Sequence, residues 1–178
     1  MGNTLQIYRF RVLIWKSGVT YGKIVAKIIN GVIRFMPIPA FRPDGYLPEG
    51  LHLATLEEIA LCFGTSTLRR QYLLGRLERW VEFARAIGSL RFFVDGSFVT
   101  QKPTPGDVDA VVWLPPNFEA QVDAEFPEAV ALTEMIETRQ PEELFAAANA
   151  LEWQDWVEFF SQTREPDRRR KGIVEVQL

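Results

Sequence analysis

The chain has 178 residues and a net charge of −3, with 47% hydrophobic and 24% charged residues. That balance is globular and excludes a disordered, collagen-like or coiled-coil chain. With one cysteine, Cys62, and one histidine, His52, it also excludes an internal disulfide framework and a Cys/His zinc site within one chain.

Chemistry therefore falls to carboxylates, hydroxyls and basic groups. No stretch reaches the roughly 18 apolar residues of a membrane span. No signal peptide is recognisable at the start, and the expectation is a cytoplasmic protein without membrane contact. The charge is uneven. Residues 1–36 carry Arg9, Arg11, Lys16, Lys23, Lys27 and Arg34 and no acid, which leaves the remainder at −9. This basic head, through residues 9–34, allows contact with nucleic acid or another acidic partner, or is simply a solvated basic sheet.

Residues 5–15 are rich in β-branched and aromatic side chains and read as a strand. Residues 19–29 read as a second strand, although helix stays open. Asn30-Gly31 is a hairpin signal before a returning strand at 32–36. Residues 37–50 hold four prolines and two glycines and read as a loop or linker. The domains expected are thus a β-rich head at 1–36, a linker at 37–50 and a body at 51–178.

In the body, Thr55-Leu56-Glu57-Glu58 fits a capping box, with a short helix ending near Gly64. A longer helix starts at Ser66 or Thr67. Leu68, Tyr72, Leu73, Leu77, Trp80, Val81, Ala84 and Ile87 form its apolar face, and Arg69 and Arg70 lie on the solvated side or pair with acids downstream. Arg91-Phe92-Phe93-Val94 reads as a strand, and so does Asp107 to Leu114. Residues 118–162 read as acidic and mostly helical, with Pro127 and Pro141 as first-turn residues or breaks. Trp153, Trp156, Phe159 and Phe160 make an aromatic helix face that suits the core or a protein partner. Residues 172–178 read as a final strand.

The specific signal is at 91–114: a strand, Gly96-Ser97, nine residues, Asp107-Val108-Asp109, and a strand. Gly96 permits close backbone approach, and the N–H groups and hydroxyl around Ser97 can donate to phosphate oxygens. Two carboxylates two residues apart on a strand share a face. They repel unless a cation compensates, which suits Mg²⁺ (or Mn²⁺) at Asp107 and Asp109. Ser97 read alone also suits a plain turn. Lys102 lies in the intervening loop, within reach of a phosphate. His52 reads as a structural hydrogen-bonding group.

These residues resemble the nucleotidyltransferase-fold superfamily, the DNA polymerase beta-like and minimal bacterial enzymes. The pattern there is Gly, Gly or Ser, a spacer, then Asp-hydrophobic-Asp. Leu47-Pro48-Glu49-Gly50-Leu51-His52, Thr55-Leu56-Glu57-Glu58, Arg69-Arg70, Asp95 to Thr100 and Lys171-Gly172-Ile173-Val174 extend the likeness to a family of small, uncharacterised bacterial proteins over about residues 38–178. Asp95 departs from the superfamily pattern, which has an apolar residue there; it either joins the site or caps the turn.

The resemblance implies an α/β fold (α+β is the alternative): a small mixed sheet with helices on one side, preceded by the β-rich head. It implies transfer of a nucleoside monophosphate from an NTP to a protein or RNA hydroxyl, in a toxin–antitoxin or defence setting. Gly96, Ser97 and Lys102 would bind nucleotide, and Asp107 and Asp109 would bind metal. The superfamily's third carboxylate comes from a later strand, where Glu175 is the candidate; otherwise Glu175 is a solvated strand residue. The alternative function is a non-catalytic antitoxin-like or complex-forming interaction protein on the same fold.

Overall fold

A computed structural model describes residues 7–10, 24–29, 32–36, 38–139 and 143–178. The Asn30-Gly31 turn, the connection between the first two strands (residues 11–23), and Pro141 lie outside the described residues. So do the side chains of the basic residues 9–34.

The head is an antiparallel sheet in the order β1 (Ile7–Phe10), β2 (Ile24–Ile29), β3 (Val32–Met36). Ile29 pairs with Val32, the register a two-residue connection requires.

The body is a mixed α/β unit. Its strands are β4 (Gly50–Ala54), β5 (Phe92–Asp95), β6 (Asp109–Trp113), β7 (Leu144–Ala147) and β8 (Gly172–Val176). They lie in the order β4-β8-β5-β6-β7. The outer pairs, β4 with β8 and β6 with β7, are parallel, and the two inner pairings of β5 are antiparallel. All four residues of β5 are buried, so the strand is covered on both faces and reads as a continuous apolar run ending in an acid.

Strand alternation splits the core. Phe92, Val94, Ala110, Val112, Val174 and Val176 face one cluster. There they meet Leu73, Leu77, Trp80, Val81 and Ala84 of α2 (Leu68–Ala86), and Ala129 and Leu132 of α4 (Pro127–Thr138). Phe93, Val111, Phe145 and Ile173 face the other, under Trp153 and Phe160 of α5 (Ala150–Phe160). Helices therefore cover both faces of the sheet, not one. Of the two places open to the aromatic face, core or partner surface, Trp153 and Phe160 take the core. Phe93 packs edge-on against Trp153 at 5.1 Å and Phe160 at 5.6 Å, and Trp156 Nε1 donates to Ala146 O at 2.9 Å. Only Phe159 of that set stays well exposed, at 61%.

Local signals hold where they are self-contained. In the capping box, Glu58 N donates to Thr55 Oγ1 at 3.2 Å and Thr55 N to Glu58 Oε2 at 2.9 Å. They open α1 (Leu56–Ile59), which continues as one π turn to Gly64. Thr67 caps α2, and Pro127 stands in the first turn of α4. The remaining helix is α3 (Phe118–Asp123).

The start of α2 is turned relative to the expected face. Leu68 and Tyr72 are exposed, and Arg70 is buried. Two strands go against local composition. Leu144–Ala147 lies in a run read as helical and becomes a strand by pairing with β6. Gly50–Ala54, at the end of the Pro/Gly-rich stretch, pairs with β8. That stretch is part of the body: Ile38 and Leu47 are buried in the core, and Gln101 N donates to Gly45 O at 2.9 Å.

Gly172 is required by this packing. A Cβ there would meet Pro48 O at 2.2 Å and His52 Nε2 at 2.6 Å. His52 is structural, its Nε2 lying 2.8 Å from Pro48 O.

Candidate functional site

β5 ends in Asp95, and the chain turns at Gly96 with φ 79° and ψ −175°, backbone that essentially only glycine adopts. The turn presses against the start of β6. A Cβ on Gly96 would lie 2.9 Å from Asp109 N and 3.2 Å from both Asp107 Oδ1 and Asp109 Oδ2. The glycine and both acids of the sequence motif are thus brought to one point. Asp107 sits just before β6 rather than on it, but its carboxylate and that of Asp109 both stand beside Gly96.

The two acids form part of the wall of a cleft of about 930 Å³. Other walls come from the loop at Asp44 to Tyr46, the Ser97–Lys102 segment, and the chain from Phe159 to Lys171. Lys102, Arg164, Arg168 and Lys171 supply positive charge. Phe159 adds an exposed ring, and neighbouring Trp156 and Phe160 meet it edge-to-face at 5.9 and 5.1 Å.

Ser97 ties the motif together. Its N–H donates to Asp107 Oδ1 at 2.6 Å, and its Oγ accepts from Gly106 N at 2.8 Å and Asp107 N at 3.2 Å. The loop between is pinned from behind. The buried Arg70 donates to the carbonyls of Phe63, Phe98, Thr100 and Lys102 at 2.6–3.0 Å. Arg69 donates to Pro105 O and Gly106 O. The arginine pair therefore holds the loop of the motif, instead of facing solvent or pairing with downstream acids. The clue in the sequence is an Arg-Arg pair in the first turn of a helix, separated by one residue from the cap Thr67, where the rotation of the helix decides which residue is buried.

The acids differ electrostatically. Burial pushes Asp107 up, but the hydroxyl and N–H of Ser97, with the charges of Arg164 and Lys102, more than offset this and hold it low. Burial, then the charges of Asp107 and Asp95, push Asp109 up to about 7. The cation paired with it, Arg164 Nη2, stands 3.8 Å away on a side chain that is 79% exposed.

Asp95 is buried and joins the site from the adjacent strand, opposite Asp109 in register. Both its oxygens lie 2.5 Å from Lys171 Nζ. Asp95 is thus half of a buried ion pair on the cleft wall.

Glu175 does not reach the site. Arg91 holds it, Nε to Oε1 at 2.7 Å and Nη2 to Oε2 at 3.0 Å. Ile173 and Glu175 share one face of β8, Lys171 stands just before that strand, and β8 runs against β5, so Lys171 is at the cleft and Glu175 at the far end. Glu143, not anticipated, stands at the start of β7. Its O accepts from Ala110 N at 3.0 Å, and its charge also raises Asp109. The signal was an acid opening a strand beside β6, hidden because β7 read as helix. Thr163 is also new. It lines the cleft, and its buried Oγ1 has no hydrogen-bond partner.

Among the described residues, no group of three or more His, Cys, Asp or Glu is arranged to hold a metal. The donor set is the pair Asp107 and Asp109. Two hard carboxylate oxygens stand beside Gly96, one of them on an under-compensated acid, and Asp107 and Asp109 are the residues that could hold a hard divalent cation such as Mg²⁺.

No helix among the described residues is long and apolar enough to cross a membrane. No curated protein and no solved structure matches the chain. A family of unknown function (DUF6932) matches residues 39–177, most of the chain and all of the cleft, and the chain belongs to that family.

Proposed function

We propose that this protein is a Mg²⁺-dependent nucleotidyltransferase that moves a nucleoside monophosphate from an NTP to a protein or RNA hydroxyl. The observation that carries the reading is the turn at Gly96, packed so tightly on Asp107 and Asp109 that no side chain fits between them. The turn stands in a cleft with cations and an exposed ring. Asp107 and Asp109 would hold the metal, which when bound neutralises triphosphate charge.

Lys102, Arg164 and Arg168 would receive the remaining phosphate charge, and Phe159 offers the base an apolar surface for stacking. Ser97 keeps Asp107 ionised and positioned. In the transfer the acceptor oxygen bonds to the α-phosphorus, the Pα–O–Pβ bond breaks, pyrophosphate leaves and the hydroxyl proton is released. A toxin–antitoxin or defence setting rests on the resemblance alone.

A nucleotide-binding interaction protein is the second reading. It is favoured by Glu175, the expected third acid, being committed to Arg91. Transfer of label from α-labelled NTPs to self, lysate protein and total RNA, with Mg²⁺ or Mn²⁺, separates the two. The transferase reading expects metal-dependent labelling that falls at least about a thousandfold in the Asp107→Asn/Asp109→Asn variant. Thermal stabilisation by NTP without labelling supports the interaction protein. Neither effect sinks both.

A further inference from the structure

We infer that Lys171 is a built-in counter-ion of the carboxylate cluster, and that with it in place the site takes one divalent cation rather than two. The inference rests on the metal reading of Asp107 and Asp109. It starts from placement. Lys171 and Asp95 are 7% and 4% exposed, and the ammonium stands 2.5 Å from both carboxylate oxygens. Asp95 is the cross-strand neighbour of Asp109, and its charge acts on Asp109. Lys171 thus neutralises the acid that would otherwise add a third negative charge to the metal ligands.

Lys171 offsets the charge of Asp95, which leaves Asp107 and Asp109, the two carboxylates beside Gly96, to face one divalent cation. A second cation would have to bind against the ammonium of Lys171, which already occupies both oxygens of Asp95. Arg164 does not play this part, because its exposed side chain can swing away from Asp109. A buried ion pair contributes little stability over packed apolar groups, so its place on the cleft wall calls for a role in the charge of the site. Thr163, 4% exposed, stands in the same wall of the cleft, and its buried hydroxyl has no hydrogen-bond partner.

The test is Mn²⁺ binding to the full chain, by calorimetry and by the spin signal of free Mn²⁺, at fixed pH and ionic strength. The wild type should bind one ion. Asp95→Asn leaves Lys171 uncompensated and should weaken binding at least about tenfold. Lys171→Met should tighten binding at least about tenfold or admit a second ion. The double variant, which removes both charges, should return to within about threefold of the wild type.

Circular dichroism checks folding. If Lys171→Met does not fold, Asp95→Asn and the double variant still decide. Two ions on the wild type, or a single-ion affinity that Asp95→Asn leaves unmoved, overturns the proposal while leaving the metal reading intact. A wild type that binds no Mn²⁺ at millimolar concentration defeats the metal reading itself, and the proposal with it.

Discussion

Asp95–Lys171 and Arg91–Glu175 are two carboxylate–cation pairs on the same face of the five-stranded sheet. In the first, the side chains are 5% and 9% exposed and the ammonium sits between both oxygens. In the second, Arg91 and Glu175 are 34% and 15% exposed, the contact is two-pronged, and the guanidinium also covers Trp153 at 4.4 Å. The first pair stands in the cleft beside Asp109, and the second closes the far end of the sheet over the aromatic core. The antiparallel register of β8 on β5 decides which of residues 171 and 175 meets the motif.

The sharpest way to break the comparison is to remove one cation at a time. Lys171→Met leaves Asp95, whose carboxyl burial already pushes up, buried without its partner and should cost about 1–3 kcal/mol, read from denaturant unfolding at pH 7. Adding Asp95→Asn should recover most of that loss, because no buried charge is then left alone. A loss below about 1 kcal/mol for the single variant would mean that Asp95 relaxes to water and the pair is not sealed.

The next effect has the opposite sign. Asp109 titrates near 7 in the folded chain, against 3.8 for the ordinary side chain. The folded state therefore binds this proton more tightly than the unfolded one. Its contribution lowers stability progressively as pH rises from about 4 to about 7, and the penalty is complete above that. Asp109→Asn should remove it and stabilise the metal-free protein by about 2–4 kcal/mol at pH 8, with little change at pH 4. Unfolding curves at the two pH values check this, and a gain that is the same at both would rule out the charge as its cause. Such a gain, at the expense of metal binding, is the pattern of a site held ready for a cation.

The parts of this site that the sequence reveals are those set by neighbours along the chain. Gly96, Ser97, Asp107 and Asp109 lie within fourteen residues, and one turn brings them together. Thr55 and Glu58 close their box within four residues. What stays hidden depends on partners far along the chain. β7 looks helical until β6 pairs with it, and with that strand goes Glu143. Arg70 looks solvated until the loop at 98–102 offers its carbonyls. Lys171, 76 positions from Asp95, carries no local mark of its pairing. Glu175 shows the same limit: its face is readable from alternation, but its end of the sheet follows only from the register with β5.

The smallest effect sharpens the comparison from the other side. Arg91→Met removes a cation that solvent already screens in part, and Glu175 can turn toward water once released. The methionine keeps some cover on Trp153 while losing the cation–π contact. A cost of about 1–2 kcal/mol follows. Mn²⁺ affinity should stay within about twofold of the wild type, because Ile173 and Phe93 separate this pair from the cleft and no metal-binding acid touches it. Parallel unfolding and Mn²⁺ titrations of the variant measure both. If Arg91→Met shifted metal affinity as much as Asp95→Asn does, the two pairs would be parts of one charge network along the sheet face, and the counter-ion role could not be assigned to Lys171 alone.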